Sequence, residues 1–129
     1  TREYAMYWSG LMRILSQSEQ LVQNITFEDM IFNVTKGHNG KAVHIEVRDK
    51  SAASYTEVQG YRIEKITFKN IIIKGNTDDM VDSLIKCGVE GSEDCGIENI
   101  KFENVRVGER DLADDDMMIT GNVKNVGIS

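Results

Sequence analysis

The chain has 129 residues, of which 40% are hydrophobic and 28% charged, and its formal net charge is −6 at pH 7. This negative charge argues against nucleic acid or an anionic membrane as a partner, because both require clustered Lys and Arg side chains. No apolar run approaches the length of a membrane span, and two cysteines are too few for a disulfide framework or a four-ligand zinc site.

The N-terminal residues combine an aromatic segment with a first strand. Residues 4–10 (YAMYWSG) are interpreted as core or end-cap packing, with a platform for stacking on sugars as the functional alternative. Residues 11–15 (LMRIL) are predicted to form a short strand, and residues 16–20 a polar turn.

A motif of eleven residues then occurs in three copies. The copies are residues 22–32 (VQNITFEDMIF), 63–73 (IEKITFKNIII) and 97–107 (IENIKFENVRV), and a shorter echo closes the chain at residues 123–126 (VKNV). Each copy alternates apolar and polar residues, which is the period of a half-buried strand rather than of a helix. Internal repeats of this kind predict a protein built by stacking equivalent units.

Two positions in each copy interrupt the alternation. They lie five residues apart, each before an Ile, Val or Met, and the pairs are Asn24 with Asp29, Lys65 with Asn70, and Asn99 with Asn104. Asn and Asp tolerate a left-handed backbone at bends. We therefore expect each copy to form two short strands joined at a corner, with stacked Asn side chains bonded along the axis of the stack.

A further strand is predicted between successive copies. Residues 41–48 alternate, with Val43, Ile45 and Val47 predicted to point inward and His44, Glu46 and Arg48 outward. Residues 83–87 (SLIKC) and 117–120 (MMIT) are interpreted as strands of the same type. A corner pair plus one strand per turn predicts an all-β fold, a parallel β-helix or solenoid of about three to four coils that forms a single segment over residues 1–129.

These motifs resemble a known family. Residues 24–29 (NITFED) and 66–71 (ITFKNI) look like the C-terminal coils of the polygalacturonase-like glycoside hydrolases (family 28) of the pectin-lyase-like superfamily. The resemblance implies a right-handed parallel β-helix, a secreted, periplasmic or cell-surface location, and inverting hydrolysis of pectin-like polysaccharides. In that family, cysteines in such positions can pair, so the resemblance also implies a disulfide between Cys87 and Cys95, with two buried free thiols as the alternative.

The family's catalytic acids have no counterpart in this chain. Inversion requires one acid that protonates the leaving oxygen and one carboxylate that activates water from the opposite face. The family carries them in Asn-Thr-Asp and Asp-Asp motifs ahead of Gly-His-Gly and Arg-Ile-Lys. Residues 76–79 (NTDD) and 37–40 (GHNG) stand in the wrong order and are interpreted as turns. No catalytic residue is assigned, and the chain is expected to be the C-terminal part of a longer β-helix.

One segment does match the family's order. Residues 10–15 (GLMRIL) occupy the place of its Arg-Ile-Lys strand, and the resemblance implies that Arg13 pairs with a substrate carboxylate. Leu15 replaces the lysine, which allows a neutral or differently charged sugar. On the outward face of the same sheet, the candidate residues for binding a polysaccharide or oligosaccharide are Arg13, His44, Glu46, Arg48 and Lys86. A solvated strand face is the alternative for each of them.

Two functions therefore remain open. The first is the C-terminal part of a glycoside hydrolase, inactive alone, and the second is a non-catalytic β-helix module that binds carbohydrate or serves as a structural repeat in a cell-surface or tailspike-like protein. Both require the remaining coils of the parent chain, or another chain, to cover the open end of the solenoid. No metal or cofactor is predicted, because the acidic run at residues 114–116 is interpreted as a solvated loop, with a calcium site as the alternative.

Overall fold

The structure, a computed structural model, describes residues 10–35, 40–50 and 59–129. The aromatic segment at residues 4–8 and the turn that contains His38 lie outside the described residues. The strands are β1 (Gly10–Ser16), β2 (Leu21–Val34), β3 (Lys41–Val47), β4 (Arg62–Gly75), β5 (Ser83–Cys87), β6 (Gly96–Val107), β7 (Arg110–Asp111), β8 (Met117–Thr120) and β9 (Val123–Ile128). A 3-10 turn at Asp114–Asp116 precedes β8. Over the described ranges, no helix is long and apolar enough to cross a membrane.

The strands form two sheets, and the chain passes back and forth between them. Sheet A has the order β1-β3-β5-β8, and sheet B has the order β2-β4-β6, with β7 and β9 both paired to β6. All of these pairs are parallel except the short antiparallel pair of β6 with β7. The predicted all-β fold with parallel strand pairing is confirmed. One sheet A strand and the following sheet B strand make up what we call a repeat.

The long strands of sheet B bend at the positions that the motif marks. All six predicted corner residues have φ values between 51° and 60°, and so does Asn125 in β9. The strand pairing skips the corner residues, so that Gln23 pairs with Glu64 and Ile25 pairs with Ile66. Each left-handed residue thus shifts the inward-outward alternation by one residue. The core-facing side chains of β4, all fully buried, are Ile63, Ile66, Phe68, Ile71 and Ile73.

The bends do not divide the strands, which differs from the prediction of two short strands per copy. β2 and β4 each run through both of their bends for 14 residues, because the parallel ladder continues on either side of every corner. The predicted Asn ladder is confirmed. Asn70 Nδ2 donates to Asp29 Oδ1 at 3.1 Å, Asn104 Nδ2 donates to Asn70 Oδ1 at 3.0 Å, and the amide of Asn125 donates to Asn99.

The core lies between the two sheets and consists of columns of like residues. The rings of Phe27, Phe68 and Phe102 stack in register, with centroids 5.1 and 4.8 Å apart and interplanar angles of 5° and 8°. Columns of Ile and Val run beside them, because the three motif copies place the same residue type at the same register position. Burial of these columns is the main favourable contribution to folding.

The outer strands β2, β8 and β9 bury their core-facing side chains less completely than the central strands do. Ile85 in β5 is fully buried, whereas Ile119, its register partner in β8, is 44% exposed. In sheet B, Val34 of β2 is buried, but the other inward side chains of β2 and β9 are only partly buried. The partly buried ones are Val22, Ile25, Phe27, Met30, Phe32, Val123, Val126 and Ile128. An adjacent repeat at either end would bury this apolar surface.

Candidate functional site

The strand register brings the five predicted binding residues together. Arg13 of β1 lies opposite His44 of β3, and Glu46 of β3 lies opposite Lys86 of β5. Arg48 follows β3 directly. We call these five residues the β3 cluster. Their role in substrate binding stays a prediction.

The outward face of the central strand β3 is not exposed to solvent at His44 and Glu46. His44 and Glu46 point away from the core, as the alternation predicts, but they are only 3% and 8% exposed. Arg13 and Lys86 on the flanking strands are exposed, and Arg48 is half-buried. β3 is therefore buried on both faces, which is common for a central strand of a parallel sheet. A simple solvated strand face does not describe His44 and Glu46.

Glu46 is the centre of a small polar network. His44 Nε2 lies 2.8 Å from Glu46 Oε1, and Arg48 Nε lies 3.9 Å from the same oxygen. The hydrogen bond from His44 holds the pKa of the Glu46 carboxyl below its usual value against the opposing effect of burial, and the positive charges of Arg48 and Lys86 reinforce it. Since the ionised carboxylate can only accept, Nε2 of His44 carries the hydrogen of this bond.

The β3 cluster is positively charged within an acidic chain. Three cationic side chains stand against one carboxylate, which leaves two positive charges when His44 is neutral, whereas the whole chain carries −6. A local cationic surface of this kind attracts anions such as carboxylates, and Arg pairs with them through two parallel hydrogen bonds.

Three buried side-chain atoms have no hydrogen-bond partner among the described residues, and all three lie at this site. They are Gln17 Oε1, His44 Nδ1 and Arg48 Nε. Ser16 pairs with Val47, so Gln17 lies beside Arg48 on the neighbouring strand. The sequence interpretation missed Gln17 because it assigned residues 16–20 to a polar turn. The sequence does contain a signal for Gln17, since this residue continues the alternation that places Arg13 and Leu15 on the outward face.

The disulfide implied by the resemblance is not formed. Cys87 and Cys95 are both buried free thiols. Cys87 Sγ contacts the carbonyl oxygen of Val89 at 3.7 Å, and Cys95 Sγ contacts that of Gly60 at the same distance. The two thiols therefore face different carbonyl groups, Cys87 at the end of a sheet A strand and Cys95 just before a sheet B strand.

An ion pair holds the acidic loop. Arg110 Nη1 and Nη2 donate to the two carboxylate oxygens of Asp116 at 2.5 and 2.7 Å, and this pair lowers the pKa of Asp116. Within the described ranges, no group of three or more His, Cys, Asp or Glu side chains is placed to hold a metal ion. Residues 76–79 form a turn after β4, as predicted.

The Glu46 network predicts a pH dependence of stability. Because the pKa of Glu46 is lowered in the folded state, its contribution is fully present above the unfolded pKa of about 4.3 and is lost as the pH falls through the folded value. We expect the difference in unfolding free energy between the wild type and Glu46→Gln to shrink below about pH 4.3 in urea titrations. The exposed Glu28→Gln variant is the control. Parallel pH profiles for the wild type and Glu46→Gln would contradict the prediction.

The β3 cluster lacks the pair of acids that inverting hydrolysis requires. Its three cations suit carboxylates, whereas Glu46 is its one carboxylate and inversion requires two. Comparison of the chain with protein-family models, with curated proteins and with solved structures finds no match in any of the three.

Proposed function

We propose that this chain is a right-handed parallel β-helix segment of about three to four coils, in which each repeat is one coil. Three features support this architecture: the alternation of the chain between two parallel sheets, the in-register columns of like residues, and the left-handed corner residues. The partly buried side chains of β2 and β9 are surfaces for the remaining coils of a parent chain or for another chain.

We further propose that the segment is the C-terminal part of a glycoside hydrolase acting on pectin-like or related polysaccharides. The observation that carries this proposal is the β3 cluster, whose positive charge lies on an otherwise acidic chain. The exposed Arg13 and Lys86, on the strands at either side of β3, bind carboxylates of the polysaccharide. The catalytic acids belong to coils outside this chain. A secreted, periplasmic or cell-surface location follows from such a substrate.

The alternative is a non-catalytic β-helix module that binds carbohydrate or serves as a structural repeat. Leu15 favours it, because an apolar side chain stands opposite Glu46 where the resembling family has a lysine. A longer parent chain with paired aspartates ahead of this segment, and with hydrolase activity, would distinguish the first function from the second.

The test is calorimetric binding of an oligogalacturonide to the purified chain. We expect binding that weakens with salt, and a loss of about tenfold in affinity for Arg13→Gln and for Lys86→Gln, since a hydrogen bond to a charged group contributes about 1.5–3 kcal/mol. Lys124→Gln, an exposed lysine on β9, is the matched control and should bind as the wild type does.

Two results would contradict the proposal. The first is the absence of binding, and the second is an equal loss for Lys124→Gln, which would indicate nonspecific attraction. We expect no release of reducing ends by the chain alone, and measurable hydrolysis would contradict the assignment of the acids to other coils.

A further inference from the structure

The outward face of sheet B carries a groove at the first corner of the repeats. Its volume is about 400 Å³, which lies within the range of about 300–1,000 Å³ that is typical of small-molecule sites. It is formed by neighbouring positions on β4, β6 and β9, and its lining includes Lys65, Thr67, Asn99, Lys101, Asn125 and Gly127. We call it the corner groove.

The ladder of corner amides is interrupted in this groove. At the second corner, each amide donates to the oxygen of the preceding repeat, as Asn104 does to Asn70. At the first corner, Asn125 donates to Asn99, but the equivalent position one repeat earlier is Lys65. A lysine ammonium has three donors and no acceptor, so the Asn99 amide has no ladder oxygen to which it can donate. Two neighbouring groups of donors therefore line the groove without an acceptor in the described part of the chain.

The groove is cationic although the chain as a whole is acidic. Lys65 and Lys101 are among its lining residues, and no Asp or Glu of the described ranges is. The formal charge of the chain is −6. A concave surface lined by charge of one sign raises the local concentration of ions of the other sign, so this groove attracts anions.

The carboxylates on the neighbouring outward positions are engaged elsewhere. Arg62 donates to Glu64 at 3.3 Å and to Glu98 at 2.9 Å, which holds both of these acids on the side of the corner away from Lys101. Glu103 lies 3.5 Å from the ammonium of Lys101, but Lys101 is 64% exposed in this pair, and exposed ion pairs of this kind contribute little. Both lysines of the groove are thus available to an incoming anion.

We propose that the corner groove binds an oxyanion, that is, a sulfate, phosphate or carboxylate group. The oxygens of such a group accept hydrogen bonds, so one anion can accept from Lys65, from the Asn99 amide and from the hydroxyl of Thr67. Gly127 leaves room for the anion, because it stands opposite Lys101 and an added Cβ there would meet no atom within 4 Å. The groove lies on sheet B and the β3 cluster on sheet A, so the two sites are independent.

The test is the side-chain amide resonance of Asn99 in ¹⁵N-correlated NMR spectra of the full chain. Sodium sulfate, phosphate and acetate are titrated separately, with the ionic strength held constant by sodium chloride. We expect a saturable shift with at least one of the three, and its identity distinguishes a sulfate or phosphate group from a carboxylate. Lys65→Gln should weaken this affinity by about five- to tenfold, as expected for the loss of a hydrogen bond from a charged group. Lys69→Gln, an exposed lysine on the same strand outside the groove, is the matched control and should leave the affinity unchanged.

A second variant tests the site through its charge. Gly127→Glu places a carboxylate opposite Lys101 and should abolish the shift, whereas Thr120→Glu adds the same charge on an exposed position of sheet A and should not. Circular dichroism spectra check that both variants fold.

The corner groove is overturned if none of the three anions gives a saturable shift, or if Gly127→Glu binds as the wild type does. An equal loss for Lys69→Gln would also overturn it, because the attraction would then be nonspecific. None of these results affects the binding of oligogalacturonide through Arg13 and Lys86, so the proposed function is decided by its own test.

Discussion

Replacement of Phe68 by alanine is expected to lower the free energy of unfolding by about 3–5 kcal/mol. Phe68 is the middle ring of the stacked column, fully buried between Phe27 and Phe102. Its removal leaves a cavity that neither neighbouring ring can fill, because each is fixed by its own strand register. A loss of this size is a large part of the stability of a single domain, which is typically about 5–15 kcal/mol.

Urea unfolding followed by circular dichroism measures this effect, and Phe27→Ala is the matched control. Phe27 has the same ring in the same column, but it lies on the outer strand and is only partly buried. We expect Phe27→Ala to cost less than about 2 kcal/mol, because less apolar area is lost from the core. Equal losses for the two variants would show that the column is not more tightly packed at its centre.

The fold was largely predictable because the motif copies support one another. A single stretch such as residues 22–32 can be read as a strand, but three copies with Phe at the same place also indicate which strands lie side by side. The left-handed corners were predictable from Asn and Asp. Lys65 could be assigned to a corner as well, because it occupies the same place in its motif copy. The continuity of β2 and β4 was not, because a left-handed residue interrupts the sequence pattern without ending the ladder.

The candidate site was predictable in position but not in burial. Alternation assigns His44 and Glu46 to the face opposite Val43 and Ile45, but it carries no information about what covers that face. Gln17 was missed because polar composition indicated a turn at a position where the strand's alternation still holds. The prediction of a Cys87–Cys95 disulfide was wrong because it came from resemblance alone. Sequence separation does not indicate the direction in which a thiol points.

Replacement of Gly121 by alanine is expected to lower the unfolding free energy by more than about 3 kcal/mol. Gly121 connects β8 to β9 with φ +81°, and an added Cβ would lie 2.1 Å from the carbonyl oxygen of Cys87. That oxygen belongs to the backbone at the end of β5, so it cannot rotate away as a side chain would. The turn must therefore move, and β9 must shift against β6, with which it pairs from Ile97 onward.

The Gly91→Ala variant separates the cost of a left-handed backbone from the cost of the steric clash with Cys87. Gly91 has a similar φ of +76°, but an added Cβ there would meet no atom within 4 Å. We expect Gly91→Ala to cost only the left-handed penalty of about 1–2 kcal/mol. Thermal unfolding of both variants, with hydrogen exchange of the β9 amides, measures the difference. If the two variants are equally stable, or if β9 stays protected in Gly121→Ala, the close approach to Cys87 does not position the last strand.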